Sequence, residues 1–170
     1  MSDQVRDAIQ VIGSARTSAS DRKRLSGPGL RAFHSITDIW GLTHQQRCIL
    51  LGDPAISTYR RWIVKTAKHE AITLSKDTLI RISAILGIHK QLTNLFVNPA
   101  EAMTWLQASH TGIVFSGLSP LEVMLLGTQD DLLTVRRYLD DWPYGPQGNA
   151  YTSTSFSPVK PEDLVFRESH

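Results

Sequence analysis

Cysteine is almost missing from this chain: Cys48 is the only one in 170 residues. A disulfide framework and a thiolate zinc site both need more, so neither is available, and a cytoplasmic address is the expectation. Long apolar runs are missing too. No stretch approaches the roughly 18 consecutive apolar residues of a membrane span, and the first 25 residues, with Asp3, Asp7 and Asp21 among them, lack the apolar core of a secretory leader. Strand-like alternation of apolar and polar residues is scarce, and no glycine-rich phosphate loop occurs.

Catalytic constellations are equally thin. Gly117-Leu-Ser119-Pro-Leu121 lacks the second glycine of a nucleophile elbow, and Ser119 reads better as a helix cap. His44 and Cys48 share a helix face but supply only two metal ligands. Asp130 and Asp141 would stand about 16 Å apart along a helix, whereas a carboxylate pair for acid/base work needs roughly 5 to 10 Å. The expectation is a non-enzymatic protein with no catalytic residue, no metal and no cofactor.

What is present is an uneven charge. The net value of +2 hides a basic segment, 57 to 90, with 7 Lys or Arg against 2 Asp or Glu, followed by an acidic one, 91 to 142, with 2 against 6. Such a division suits two surfaces for two partners, the first for phosphate and the second for protein; a scatter of solvated charges is the alternative that charge alone leaves open.

Helix punctuation recurs along the chain and predicts an all-α fold. Leu30, Phe33, Ile36, Ile39 and Trp40 follow helical spacing after Gly27-Pro28-Gly29 and stop at Gly41. Thr43 and Gln46 form a capping box for a helix over 44–51, closed by Gly52. Asp53-Pro54 then reads as the start of a third helix reaching about Thr66. Ser75 caps a long segment through Leu79, Ile82 and Leu86 that can bend or break at Gly87; Asn98-Pro99 and Ser119-Pro120, each with a capping-box glutamate at Glu101 and Glu122, and Thr128 open three more helices, the last carrying Leu132, Val135, Leu139 and Trp142 on one stripe. The predicted division is a flexible segment 1–29, a helix-turn-helix module 30–75, a helical domain 76–142 and an irregular tail 143–170.

The second and third helices have the arrangement of a helix-turn-helix. At 100° per residue Ile56, Tyr59 and Ile63 share one face of the third helix, while Ser57, Thr58, Arg61 and Lys65 share the other, with Arg60 at the edge. Hydroxyls and an arginine there suit base edges in a major groove, and Lys65 and Lys68 suit phosphate. Ser57, Thr58, Arg60, Arg61 and Lys65 are therefore the candidate DNA-binding residues, and a homodimer is expected because one short helix reads only a half-site.

The string Leu51-Gly-Asp-Pro-Ala-Ile-Ser-Thr-Tyr-Arg-Arg-Trp62 resembles the helix-turn-helix of Xre-like antitoxins. Downstream, Gly87-Ile88, Leu92, Phe96, Asn98-Pro99, Ala102, Trp105-Leu106, Phe115, Gly117, Ser119-Pro120-Leu121, Met124, Gly127, Val135 and Tyr138-Leu139 resemble the toxin-binding domain of the Xre/MbcA/ParS antitoxin family. The resemblance covers 30–142. It implies a type II antitoxin that represses its own operon by binding operator DNA and neutralises a RES-domain toxin, an NAD-consuming enzyme, while performing no chemistry itself. Two features depart from the family pattern: Ala108-Ser-His-Thr-Gly112 follows Trp105 where Pro-Asn is common, and a tail extends beyond Gly145.

The acidic balance of 91–142 places toxin capture there, with Asp140 and Asp141 as candidate contacts, whereas Trp105, Phe115 and Leu121 have core spacing. In the tail, Phe166, Arg167 and Glu168 are candidates to enter or cover the toxin's NAD cleft. The competing reading is a stand-alone DNA-binding regulator whose C-terminal half dimerises or senses a ligand.

Overall fold

A computed structural model describes residues 18–142, and every regular element among them is helical. The helices are α1 (Ala19–Ile39), α2 (His44–Leu50), α3 (Ile56–Ala67), α4 (Lys76–Leu95), α5 (Pro99–Gln107), α6 (Pro120–Met124) and α7 (Gln129–Asp140). Helix α4 lies at the centre. Ala84, Ile85, Leu86, Gly87 and Ile88 are all buried, so its middle turns are apolar on every side, and it packs against α1 on one flank and α7 on the other. One hydrophobic cluster runs from Leu30 through α4 to Trp142, so the first three helices and the last three share a core.

Local chemistry sets most of the starts. Thr43 with Gln46, Ser119 with Glu122 and Thr128 with Asp131 form complete capping boxes, each hydroxyl accepting from the third backbone N–H while the third side chain accepts from the cap's own N–H. Asn98 instead accepts from Ala100 N–H at 2.9 Å, and Ser75 from Thr78 N–H at 3.0 Å.

Three expectations are corrected. The first helix starts at Ala19 rather than after Gly29: Ser18 and Asp21 form a further capping box, and the helix passes through Gly27-Pro28-Gly29. Packing outweighs the donor that Pro28 removes. Leu25, Ser26, Gly29 and Leu30 are buried, and the Ser26 hydroxyl donates to Arg22 O (2.6 Å) while accepting from Leu74 N–H (2.8 Å), stapling α1 to the segment before α4.

The third helix starts at Ile56, not at Asp53-Pro54. Gly52 and Asp53 both occupy the left-handed region, at φ 91° and 59°, and Asp53 N–H donates to Cys48 O at 2.8 Å. Asp53 is thus spent on closing α2, and Ala55 precedes α3 without a side-chain cap. Finally, α4 does not break at Gly87 but continues as one helix to Leu95. At Gly87 the missing side chain admits the Arg136 guanidinium of α7, which a Cβ would overlap.

Candidate nucleic-acid face and partner-binding domain

Helix α3 is held to α1 and α2 by a buried polar knot. Tyr59 is fully buried, and its hydroxyl lies 3.2 Å from His34 Nδ1. Arg47, also buried, donates from Nη1 to the same nitrogen (2.9 Å) and from Nη2 to Asp38 (2.6 Å). A guanidinium can only donate, so Nδ1 is the acceptor and the His34 ring proton resides on Nε2, which faces Asp38 at 3.6 Å. Burial, helped by the Arg47 charge and opposed by Asp38, holds the His34 pKa below its ordinary value.

With Tyr59 and Thr66 inward, the opposite face of α3 is fixed. Ser57, Arg60 and Arg61 are exposed, Thr58 and Lys65 are half-buried, and Lys68 is exposed just past the helix end. Two assignments differ from the sequence reading. Ile56, expected beside Tyr59, is 44% exposed, because the late start of α3 leaves it in the unpacked first turn. Val64 stands 54% exposed one turn beyond Arg60 and Arg61, on the polar face. An apolar residue in that position gave no periodic signal and was missed. The helix contains no acidic residue, and Arg60, Arg61, Lys65 and Lys68 make no ion pair among the described residues, whereas the arginines of α4 and α7 are all paired.

The other half of the molecule is organised by aromatic rings. Trp105 and Trp142 lie 5.3 Å apart, Phe115 meets Tyr138 edge-on at 4.8 Å, and Phe96 meets Trp142 edge-on at 6.0 Å. Trp105 and Phe115 are buried and Leu121 packs against the core, as their spacing predicts. Asp140 is engaged internally: it accepts from Arg136 Nε at 2.7 Å and from Gln91 Nε2 at 2.6 Å, tying α7 to α4. Asp141 is exposed. Phe166, Arg167 and Glu168 lie outside the described residues.

The two halves meet at Arg81. Its Nε donates to Asp77 (2.8 Å) and its Nη1 to the carbonyl of Gly127 (2.9 Å), while Gly52, in the turn before α3, lies against the same Arg81 and Asp77 side chains. Cys48 is buried and His44 packs edge-on against Tyr59, and among the described residues no cluster of three or more His, Cys, Asp or Glu side chains could hold a metal ion. No helix among the described residues is long and apolar enough to cross a membrane.

Comparison with known proteins bears on the second half. Residues 91–145 match the C-terminal toxin-binding domain of the Xre/MbcA/ParS antitoxins. The chain is 36% identical over 140 residues to the uncharacterized protein y4oB of Sinorhizobium fredii (strain NBRC 101917 / NGR234), a span covering 82% of this chain and 96% of that protein. No solved structure matches. With its helices α5 to α7 and their aromatic core inside the matched span, the chain carries the C-terminal toxin-binding domain of the Xre/MbcA/ParS antitoxins.

Proposed function

We propose that this antitoxin neutralises a RES-domain, NAD-consuming toxin and represses its own operon as a homodimer, with no catalysis of its own, in the cytoplasm where operator and toxin both reside. The observation that carries the DNA-binding part is the outer face of α3: cationic, free of acids, without an ion pair among the described residues, and backed by the hydrogen-bonded Tyr59, His34 and Arg47. Unpaired cations release phosphate counterions on binding without first breaking an ion pair. Ser57, Thr58, Arg60 and Arg61 meet base edges, Val64 supplies an apolar contact among them, and Lys65 and Lys68 meet phosphate. The helix-turn-helix module extends to about residue 75, and the toxin-binding domain follows from 76 to 142.

Toxin capture belongs to the second half, where Asp141 offers an open carboxylate to a basic partner and Asp140 contributes when its contacts with Arg136 and Gln91 rearrange. Phe166, Arg167 and Glu168 of the tail cover the NAD cleft, so that neutralisation is occlusion. The test is co-expression with the product of the neighbouring reading frame. Restored growth, recovered cellular NAD and a protected palindrome upstream of the operon support the reading. A chain that protects DNA but binds no toxin would leave only a stand-alone regulator.

A further inference from the structure

Between α5 and α6 the chain closes a loop on itself, residues 110–118. Its neck is a pair of backbone hydrogen bonds, Gly117 N–H to His110 O at 2.9 Å and His110 N–H to Leu118 O at 3.1 Å. Inside it, Ser116 N–H donates to Gly112 O (2.8 Å) and Leu118 N–H to Phe115 O (2.9 Å). Ser116 and Gly117 reverse the chain in the left-handed region, at φ 49° and 90°. The loop is also pinned from below. Phe115 is buried against Tyr138 and Trp105, and His110 Nε2 donates to Trp105 O at 2.9 Å.

With Phe115 turned inward, its neighbours face water: Ile113 is 98% exposed, and Val114 and Leu118 are exposed beside it. Isolated apolar residues on a surface are ordinary, but three on one pinned loop form a patch. Charge gives a second, independent observation. The twenty residues from Ala102 to Leu121 contain no Asp, Glu, Lys or Arg, in a chain that is 20% charged overall. Charge depletion around exposed aliphatic groups marks the centre of a protein interface, and charged groups belong at its rim. Asp141, exposed at the C-terminal cap of α7 and three residues beyond the Tyr138 that packs on Phe115, is a charged group available to such a rim. The whole loop lies inside the residues that match the toxin-binding domain.

We propose that Ile113, flanked by Val114 and Leu118, is the apolar anchor by which this domain seats in an uncharged surface pocket of its toxin. The inference rests on the antitoxin reading and adds the contact. Because the backbone is hydrogen-bonded and anchored before binding, little ordering is needed on association, and the contact area of Ile113 converts efficiently into affinity. A second copy of this chain is the competing occupant.

The experiment uses the full-length chain and the RES-domain protein of the neighbouring reading frame in a catalytically disabled form. Calorimetric titration of Ile113→Ser and of Ile113→Ser with Val114→Ser is expected to raise Kd at least about tenfold. Ile113→Leu should retain most of the affinity. Val97→Ser, at a fully exposed aliphatic residue outside the loop, should leave it unchanged. Sedimentation and thermal melting of the serine variants should match the wild type. A Kd within about twofold of wild type for the double variant overturns the proposal. So does loss of a homo-oligomer in the Ile113→Ser protein, which assigns the loop to a second copy of the chain. Failure of the wild-type chain to bind that protein at all removes the antitoxin reading itself, and the anchor with it.

Discussion

The guanidinium of Arg136 lies across the backbone of Gly87, filling the space that a side chain on α4 would take. From there its Nε donates to Asp140, which also accepts from Gln91. Glycine in a helix interior costs about 0.5 to 1 kcal/mol relative to alanine, and a partly exposed ion pair is worth about as much. Gly87→Ala therefore exchanges one for the other, and chemical denaturation should show a net change within about 1 kcal/mol. In an Arg136→Ala background nothing occupies the site, so Gly87→Ala should stabilise by about 0.5 to 1 kcal/mol. Equal effects in both backgrounds would show that the two residues are not coupled.

Acid sensitivity follows from His34. Burial and Arg47 depress its pKa in the folded chain below the ordinary 6.5, so as pH falls the unfolded chain binds the proton first. Stability is complete above about pH 6.5 and declines below it, continuing until the folded-state pKa is passed. His89, also depressed by burial and with no hydrogen-bond partner at Nδ1, adds a contribution of the same sign. Urea midpoints at pH 7.5, 6 and 5 should fall in that order, and His34→Gln should flatten part of the slope, leaving the His89 share. A slope unchanged by His34→Gln would remove His34 as its source.

On DNA, Arg61→Ala should cost about 1 to 3 kcal/mol and relax specificity at one position, while Lys65→Ala should weaken all sequences alike and lower the salt slope by about one. Val64 adds a finer expectation. If it touches a thymine methyl, replacing that thymine by deoxyuridine should weaken wild-type binding about fourfold, equivalent to ~0.8 kcal/mol for one buried carbon, and leave Val64→Ala unaffected. Filter binding to a site selected from random DNA measures all three. Unchanged affinity of the Arg61→Ala, Lys65→Ala double variant would reject this face.

Deleting residues 144–170 should leave DNA binding and the helical core intact but raise the residual activity of the toxin in the complex. Toxin turnover at equal concentrations of the two proteins is the readout. Full neutralisation by the truncated chain, with unaltered affinity, would mean that the tail takes no part in occlusion.

The legible part of this fold was what local chemistry decides. The Thr43 and Ser119 capping boxes can be read three residues at a time, and both are formed, whereas Glu101 closes no box with Asn98, whose side chain accepts from Ala100 N–H instead. The Ser18 box carries the same signal with Asp21, yet Gly27-Pro28-Gly29 argued for a break, and what overrides it is a hydrogen bond from Leu74 to Ser26, 48 residues apart. Asp53 suited two local roles, and only the position of Cys48 O decides between them. In the binding regions, spacing located the exposed Arg60 and Arg61 but misplaced Ile56 and passed over Val64. Periodicity predicts a face and says nothing about where a neighbouring helix stops covering it. The exposed Ile113 was beyond reach for a similar reason, because only the inward turn of Phe115 sends it outward.

Arg81 has one further consequence. It touches both the turn that precedes α3 and the turn that precedes α7, so one side chain adds a direct polar connection between two halves that already share a core. A partner that shifts the Gly127 carbonyl must either drag the guanidinium away from Gly52 or strip it of an acceptor, and in both cases the register of α3 feels the load. On the proposed reading, in which α3 binds operator DNA, linkage would work in both directions: free energy that a toxin spent on moving that turn would return as a changed affinity for the operator, and operator binding would bias toxin capture by the same amount.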